Sequence, residues 1–248
     1  MTRQRPTAQS RGSIPSARMT ASKGALNRRV LTMVLSAGIA AICGVLGASA
    51  TAAIESRFTT LRLAGGIQVD VPHSWLKPTK EEQDLLDTSA EAALDLSVST
   101  RGQKRISKSI LEVFTPKGQP YCGFTITLGY DQTATQEELK NLTADELRAS
   151  AKEVEPAFRE MLRPMGEVLI GLDSLSVEKI NDNNFLVYRY RYRTSSAPSS
   201  FVVRTEQYQY EDGGRVIMFI AKCDDRARQV CAPILKRSLD SLKIPESK

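Results

Sequence analysis

The residues whose types and spacing come nearest to chemistry lie in one run, Phe185–Arg193, where tyrosine and arginine alternate. Successive side chains of a strand point to opposite faces, so Leu186, Tyr188, Tyr190 and Tyr192 share one side and Arg189, Arg191 and Arg193 the other. Arginines two residues apart stand about 7 Å apart along a strand. Such a row could hold a small anionic ligand or an acidic partner through charge-assisted hydrogen bonds. Interleaved rings and cations also occur on surfaces that bind single-stranded nucleic acid. Here they fall on opposite faces, and nucleic acid is not an expected partner. The plainer reading packs the tyrosines under a helix and leaves the arginines solvated, pairing with Glu206 on the next strand. Arg189, Arg191 and Arg193 are the candidate partner-binding residues.

Other reactive types are sparse or badly spaced. His73 is the only histidine, which rules out a metal site built on a histidine pair. Ser74 follows it, but adjacent residues in a turn rarely reach base-and-nucleophile geometry. Asp131, Asp182, Asp212, Asp224 and Asp225 fall in expected turns or helix starts, where turn formation and capping account for them. None has the spacing of a calcium loop. No glycine-rich nucleotide fingerprint, phosphate loop or G-x-S-x-G elbow is present. The expectation is therefore no catalytic residue, no metal and no cofactor.

The N-terminus reads as an export signal. Residues 1–50 contain seven Lys and Arg and no acid. A basic region (1–29) ends at Arg28-Arg29, an uncharged run (30–47) follows, and Ala48-Ser49-Ala50 closes it as an A-x-A cleavage pattern. Met19 would start a signal of ordinary length. The rival reading is an uncleaved span over 30–54, since about 20 apolar residues cross a bilayer. Arg28-Arg29 also loosely resembles a twin-arginine signal. Cys43 follows Ile42, not a small residue, so lipidation is not expected. The whole chain has 34 basic and 28 acidic residues, a net of +6. Taking the leader's seven from 34 leaves 27 bases against 28 acids in residues 51–248, a net of −1. The basic charge belongs to the leader, and the remainder has no global attraction for nucleic acid or anionic lipid. A periplasmic location is expected, with an inner-membrane anchor or secretion as alternatives.

Three cysteines follow the leader: Cys122, Cys223 and Cys231. An oxidising compartment favours one disulfide with one thiol left over. The pair preferred here is Cys223 with Cys231. Continuous helix between them would separate their Cα atoms by about 12 Å, so this pairing needs a broken turn over Asp224–Arg228. Cys122 with Cys223 on neighbouring strands is the alternative, and three unlinked thiols the plainest reading.

The elements that position these residues read as one domain over 51–248, with its core at about 57–244. Ile67, Val69 and Val71 alternate with Gln68 and Asp70, a half-buried strand that stops at Pro72 and should fix one end of a sheet. Trp75, the only tryptophan, should fold back over the core. Arg57–Leu63 pairs with that strand as a hairpin. Thr79 and Glu82 form a capping box for a helix over 80–96. Ser109–Thr115 and the alternation Cys122, Phe124, Ile126, Leu128 read as strands. Thr135 with Glu138 and Thr143 with Glu146 are further capping boxes. After the second, Leu147, Ala151, Val154, Phe158, Met161 and Met165 make one apolar helical stripe, with Pro156 expected to bend it. A meander follows: 175–180, 185–193, 201–210 and 215–222. The last strand is apolar on both faces and should lie centrally. A helix over about 229–242 closes the chain.

This order, with Val71-Pro72-His73-Ser74-Trp75 ending an N-terminal hairpin and Arg237-Ser238-Leu239-Asp240-Ser241-Leu242 ending the last helix, resembles the Mog1/PsbP-like fold. The resemblance spans about 57–244. It implies an α+β chain, a mainly antiparallel sheet sandwiched by helices (an α/β/α sandwich), and a non-enzymatic binding or accessory role; taken with the export signal, the expected partner is an envelope protein or a small anionic ligand. No ligand motif of the family matches positions here, so no residue role is carried over. The competing expectation is an envelope hydrolase, which would need a cleft holding two carboxylates within about 10 Å.

Overall fold

The computed structural model describes residues 57–79, 107–130, 134–194 and 201–246. The leader and the helix expected over 80–96 lie outside these residues. Among the described residues there are eight strands: β1 (Phe58–Arg62), β2 (Gln68–Pro72), β3 (Ser107–Phe114), β4 (Cys122–Tyr130), β5 (Val168–Ile180), β6 (Asn183–Arg193), β7 (Val202–Glu211) and β8 (Arg215–Asp224). The α-helices are α1 (Gln136–Lys140), α2 (Ala144–Leu162) and α3 (Arg228–Asp240). β3 to β8 form one sheet in the order β3-β4-β8-β7-β6-β5, with every neighbour antiparallel. β1 and β2 form a separate two-stranded ribbon. The hairpin therefore does not extend the main sheet as expected. Gln68 instead bridges to Lys243, and the Asp70 amide donates to Ser241 Oγ at 2.7 Å, which ties the ribbon to the end of α3.

The two faces of the sheet are covered by different helices over different strands. Leu169, Leu186, Tyr188, Tyr190 and Tyr192 lie under α2, which supplies Val154, Phe158, Met161 and Leu162. Phe158 is the central contact, its ring centroid 4.4 Å from that of Tyr190 and 5.8 Å from that of Tyr188. The α2 stripe is the one expected, and the helix runs through Pro156 as a single element. Both capping boxes are made. α2 ends in a 3-10 turn, after which Gly166 takes a left-handed φ of 69°. There the Gly166 amide donates to the Arg163 carbonyl and the Glu167 amide to that of Leu162, a Schellman closure.

The opposite face carries α3 and the β1–β2 ribbon over β4 and β8. Val69, Val71, Phe124, Ile126, Phe219, Leu235 and Leu239 belong to one buried cluster there. Trp75 joins it, its ring centroid 6.0 Å from that of Phe124, which stacks on Phe219 at 4.7 Å. β8 lies between β4 and β7 and is buried along its whole length, as its two-sided apolar content implies.

The disulfide joins Cys122 to Cys231, with Cα atoms 5.9 Å apart, and not Cys223 to Cys231. The broken turn required for the expected pair does exist, a 3-10 turn over Asp225–Ala227. It carries α3 sideways across the sheet, however, and sets Cys231 over β4. Cys223 stays on β8 as a buried free thiol. The bond closes a separation of 109 residues, which corresponds to about 4–5 kcal/mol of chain entropy removed from the unfolded state.

Candidate functional site

The arginine row lies on the α3 face, beyond the edge of α3, where β6 is flanked by β5 and β7. The tyrosines of β6 are buried on the other face, as the plainer reading held. The arginines differ from one another in ways the alternation could not show. Arg189 makes a two-pronged pair with Glu178 of β5, Nη1 to Oε1 at 2.5 Å and Nη2 to Oε2 at 3.0 Å. Its Nε donates to Glu206 at 3.3 Å, and Glu206 also accepts the Tyr208 hydroxyl at 2.6 Å. The hydrogen bond from Arg189 holds the Glu178 carboxyl below its ordinary range, and the same bond raises the arginine.

Arg191 stands directly opposite Arg204 of β7, a like-charge pairing that alone would destabilise the sheet. The register of β5 slips between Leu172 and Ser174, so Asp173 is the extra residue of a bulge and its carboxylate reaches this face. Asp173 accepts from Arg191 Nη2 at 2.8 Å and lies 3.4 Å from Arg204 Nη1. Arg204 Nε completes the chain by donating to Asp225 at 2.8 Å. Arg193 is exposed at the end of β6 and makes no salt bridge among the described residues. The row is thus two neutralised arginines and one open one.

Beside this network runs a trough of about 560 Å³. Arg228, Ala232, Leu235, Lys236, Leu239 and Asp240 of α3 form one wall, and Glu178, Ile180 and Arg189 the other. Tyr208, Phe219, Ala221 and Cys223 lie along its floor. Asn181 fixes one end. It sits with Asp182 in a turn whose φ values are 48° and 66°, and its Nδ2 donates to the carbonyls of Asp240 and Leu242. Burial pushes the Cys223 thiol up to about 11.

The remaining sequence candidates are dispersed. His73 is exposed with Nδ1 3.4 Å from Thr59 Oγ1. Asp182 pairs with Lys179, Asp212 with Arg215, Asp224 with Arg226 and Asp225 with Arg204, so these four hold turns and ion pairs. Asp131 lies outside the described residues. No cluster of His, Cys, Asp and Glu fit for a metal ion occurs among the described residues. Sequence reasoning missed Asp173, Arg204 and Arg228. The broken alternation at Gly171-Leu172-Asp173-Ser174 was the available sign of the bulge; nothing local marks the position of α3.

No family model and no curated protein sequence matches the chain. Solved structures with a similar fold include cyanobacterial PsbP (CyanoP) from Synechocystis, at a TM-score of 0.45 and 10% identity, covering 81% of this chain and 99% of that one. LpqN of Mycobacterium tuberculosis, involved in cell envelope biogenesis, is similar at a TM-score of 0.38 and 10% identity over 77% of this chain and 91% of its own. A Pseudomonas aeruginosa protein of unknown function is similar at 0.38 and 12%, over 77% and 99%. At these identities and scores no residue role or partner passes to this chain.

Proposed function

We propose that this is a non-enzymatic binding protein of the cell envelope, exported by its N-terminal signal, which takes a segment of a partner protein into the trough beside α3. The observation that carries the reading is the character of the trough. Its floor is apolar and aromatic, while its rim sets Arg189, Arg204, Arg228 and Lys236 among Glu178, Glu206 and Asp240. A mixed-charge rim around an apolar floor suits a polypeptide with both apolar and charged side chains. It suits a small anion less well, because Arg189 and Arg204 already face carboxylates of their own. In this reading the arginine row, expected to hold a small anionic ligand or an acidic partner, serves as a scaffold through Arg189 and Arg191, and contact passes to the trough and to Arg193.

Glu178 and Glu206 do stand together in this cleft, the feature a hydrolase would need. Both are bound to Arg189, and Glu178 is held low. A general acid needs its pKa raised toward neutrality, so Glu178 is tuned the wrong way for that chemistry.

The test compares capture from the protein's own envelope extract by the tagged wild type, by Ala232→Trp and by Lys152→Glu. Ala232 is exposed on the trough wall and Lys152 is exposed on α2 across the sheet. A partner held by the wild type and by Lys152→Glu but lost by Ala232→Trp is the expected result. Equal capture by all three would overturn the assignment.

A further inference from the structure

Cys122 is within reach of two sulfur partners. Its present bond runs to Cys231 on α3. Across the sheet it stands directly opposite Cys223 of β8. The Asp224 amide donates to the Tyr121 carbonyl at 2.9 Å, so the backbone hydrogen bonds bracket the Cys122/Cys223 pair and do not join it. In a pair of that kind the Cα atoms lie about 4.5 Å apart and the side chains approach closely. Disulfides span Cα separations of about 4.4–6.8 Å, so the sheet already holds Cys223 at bonding range. All three cysteines belong to the same buried cluster on the α3 face, and Cys223 lines the trough as the free thiol.

We propose that Cys223 exchanges internally with the Cys122–Cys231 disulfide, moving the bond from the helix to the sheet. The Cys223 thiolate attacks Sγ of Cys122; the Cys122–Cys223 bond forms as the Cys122–Cys231 bond breaks. Cys231 leaves as a thiolate and takes up the proton that Cys223 released. One disulfide and one thiol exist before and after, so neither oxidant nor reductant is consumed. Chain entropy hardly favours either form, because the closed separation changes only from 109 residues to 101 (223 less 122). Packing decides the balance. In the exchanged form α3 loses its covalent tie to β4 and is held by Leu235, Leu239 and the Asn181 bonds at its end. The wall of the trough is then free to move, whatever the trough binds.

The rate follows the thiolate fraction of Cys223. Burial raises that thiol to about 11; Arg204 of β7 lowers it, while Glu206 of β7 with Asp225 and Asp224 raise it further. Below that value the thiolate fraction grows about tenfold per pH unit.

The full chain with Cys43→Ser, which leaves three cysteines, is held folded without oxidant at several pH values from about 7 to 10. Samples are quenched in acid and denatured, the free thiol is labelled with N-ethylmaleimide, and its position is read by peptide mass spectrometry. Label should pass from Cys223 alone to a mixture of Cys223 and Cys231, about tenfold faster per pH unit and independently of protein concentration. Added Cys231→Ser should form Cys122–Cys223 in a glutathione redox buffer. Label confined to Cys223 throughout, or transfer whose rate scales with concentration, would overturn the proposal. If the Cys231→Ser variant does not fold, the labelling of the three-cysteine chain decides alone.

Discussion

Glu167 offers a quantitative test of how the α2 face is built. It follows the left-handed Gly166 that closes α2, and the Schellman turn leads the chain directly into β5, leaving the Glu167 side chain only 6% exposed. Burial raises its pKa from 4.5 to about 7, against the opposing pull of Lys222 on β8. The carboxylate charge in turn raises the buried phenols of Tyr190 and Tyr192 on β6, although burial is the larger cause for both. Because the folded state binds this proton more tightly than the unfolded chain, the group is most favourable to folding below the unfolded value of 4.5. Stability is then lost as pH rises through the folded value and stays lost above it. A shift of that size corresponds to about 3 kcal/mol at most, from about 1.4 kcal/mol per pKa unit. Glu167→Gln removes the ionisation while keeping shape. Urea unfolding of both proteins should show the variant more stable by about 1–3 kcal/mol at pH near 8, with the difference shrinking toward zero or reversing near pH 4. The same difference at both pH values would refute the buried-carboxylate account, as would a variant that is less stable at the higher pH. A Glu167 side-chain carboxyl that titrates by NMR in the ordinary range would refute it more directly.

Two further substitutions address the scaffold. Arg189→Ala leaves Glu178 and Glu206 facing each other without their shared cation, and urea unfolding should show a loss of about 1–3 kcal/mol at neutral pH. Since Arg189 depresses the Glu178 pKa, that loss should diminish as acid protonates the carboxylates, and Arg189→Lys should recover little because it cannot make the two-pronged pair; equal stability of wild type and Arg189→Ala would sink the network. Gly123→Ala would place a Cβ 2.7 Å from the Val113 carbonyl oxygen on β3, so the backbones of β3 and β4 must move apart locally; thermal unfolding should register about 1–3 kcal/mol of destabilisation, and an unchanged melting temperature would contradict the close approach.

Periodicity carried much of this fold. The α2 stripe, both capping boxes, the meander and the central place of β8 follow from patterns within single elements, where spacing alone decides which side is buried. What eluded the sequence depends on relations between distant elements. The ribbon of β1 and β2 alternates as well as any sheet strand, yet it pairs with itself and with Lys243. The disulfide depends on where the 3-10 turn aims α3, which the spacing of Cys223 and Cys231 does not encode. The arginine alternation correctly predicted which side chains share a face and anticipated the pairing of Arg189 with Glu206. It could not show that a bulge at Asp173 would neutralise Arg191, or that α3 would stop short of β6 and leave a trough beside the row.

Partner binding in the trough between α3 and β5–β8 is open to direct test. Its most direct measurement places a photo-crosslinking residue at position 232 on the trough wall, and separately at 152 on α2, in protein expressed in its own envelope. Crosslinks from 232 to one defined protein segment, absent from 152 and abolished by a bulky side chain filling the trough from the sheet at Ala221, are the predicted result. Crosslinks from 152 alone, or an identical pattern from both positions, would contradict the account.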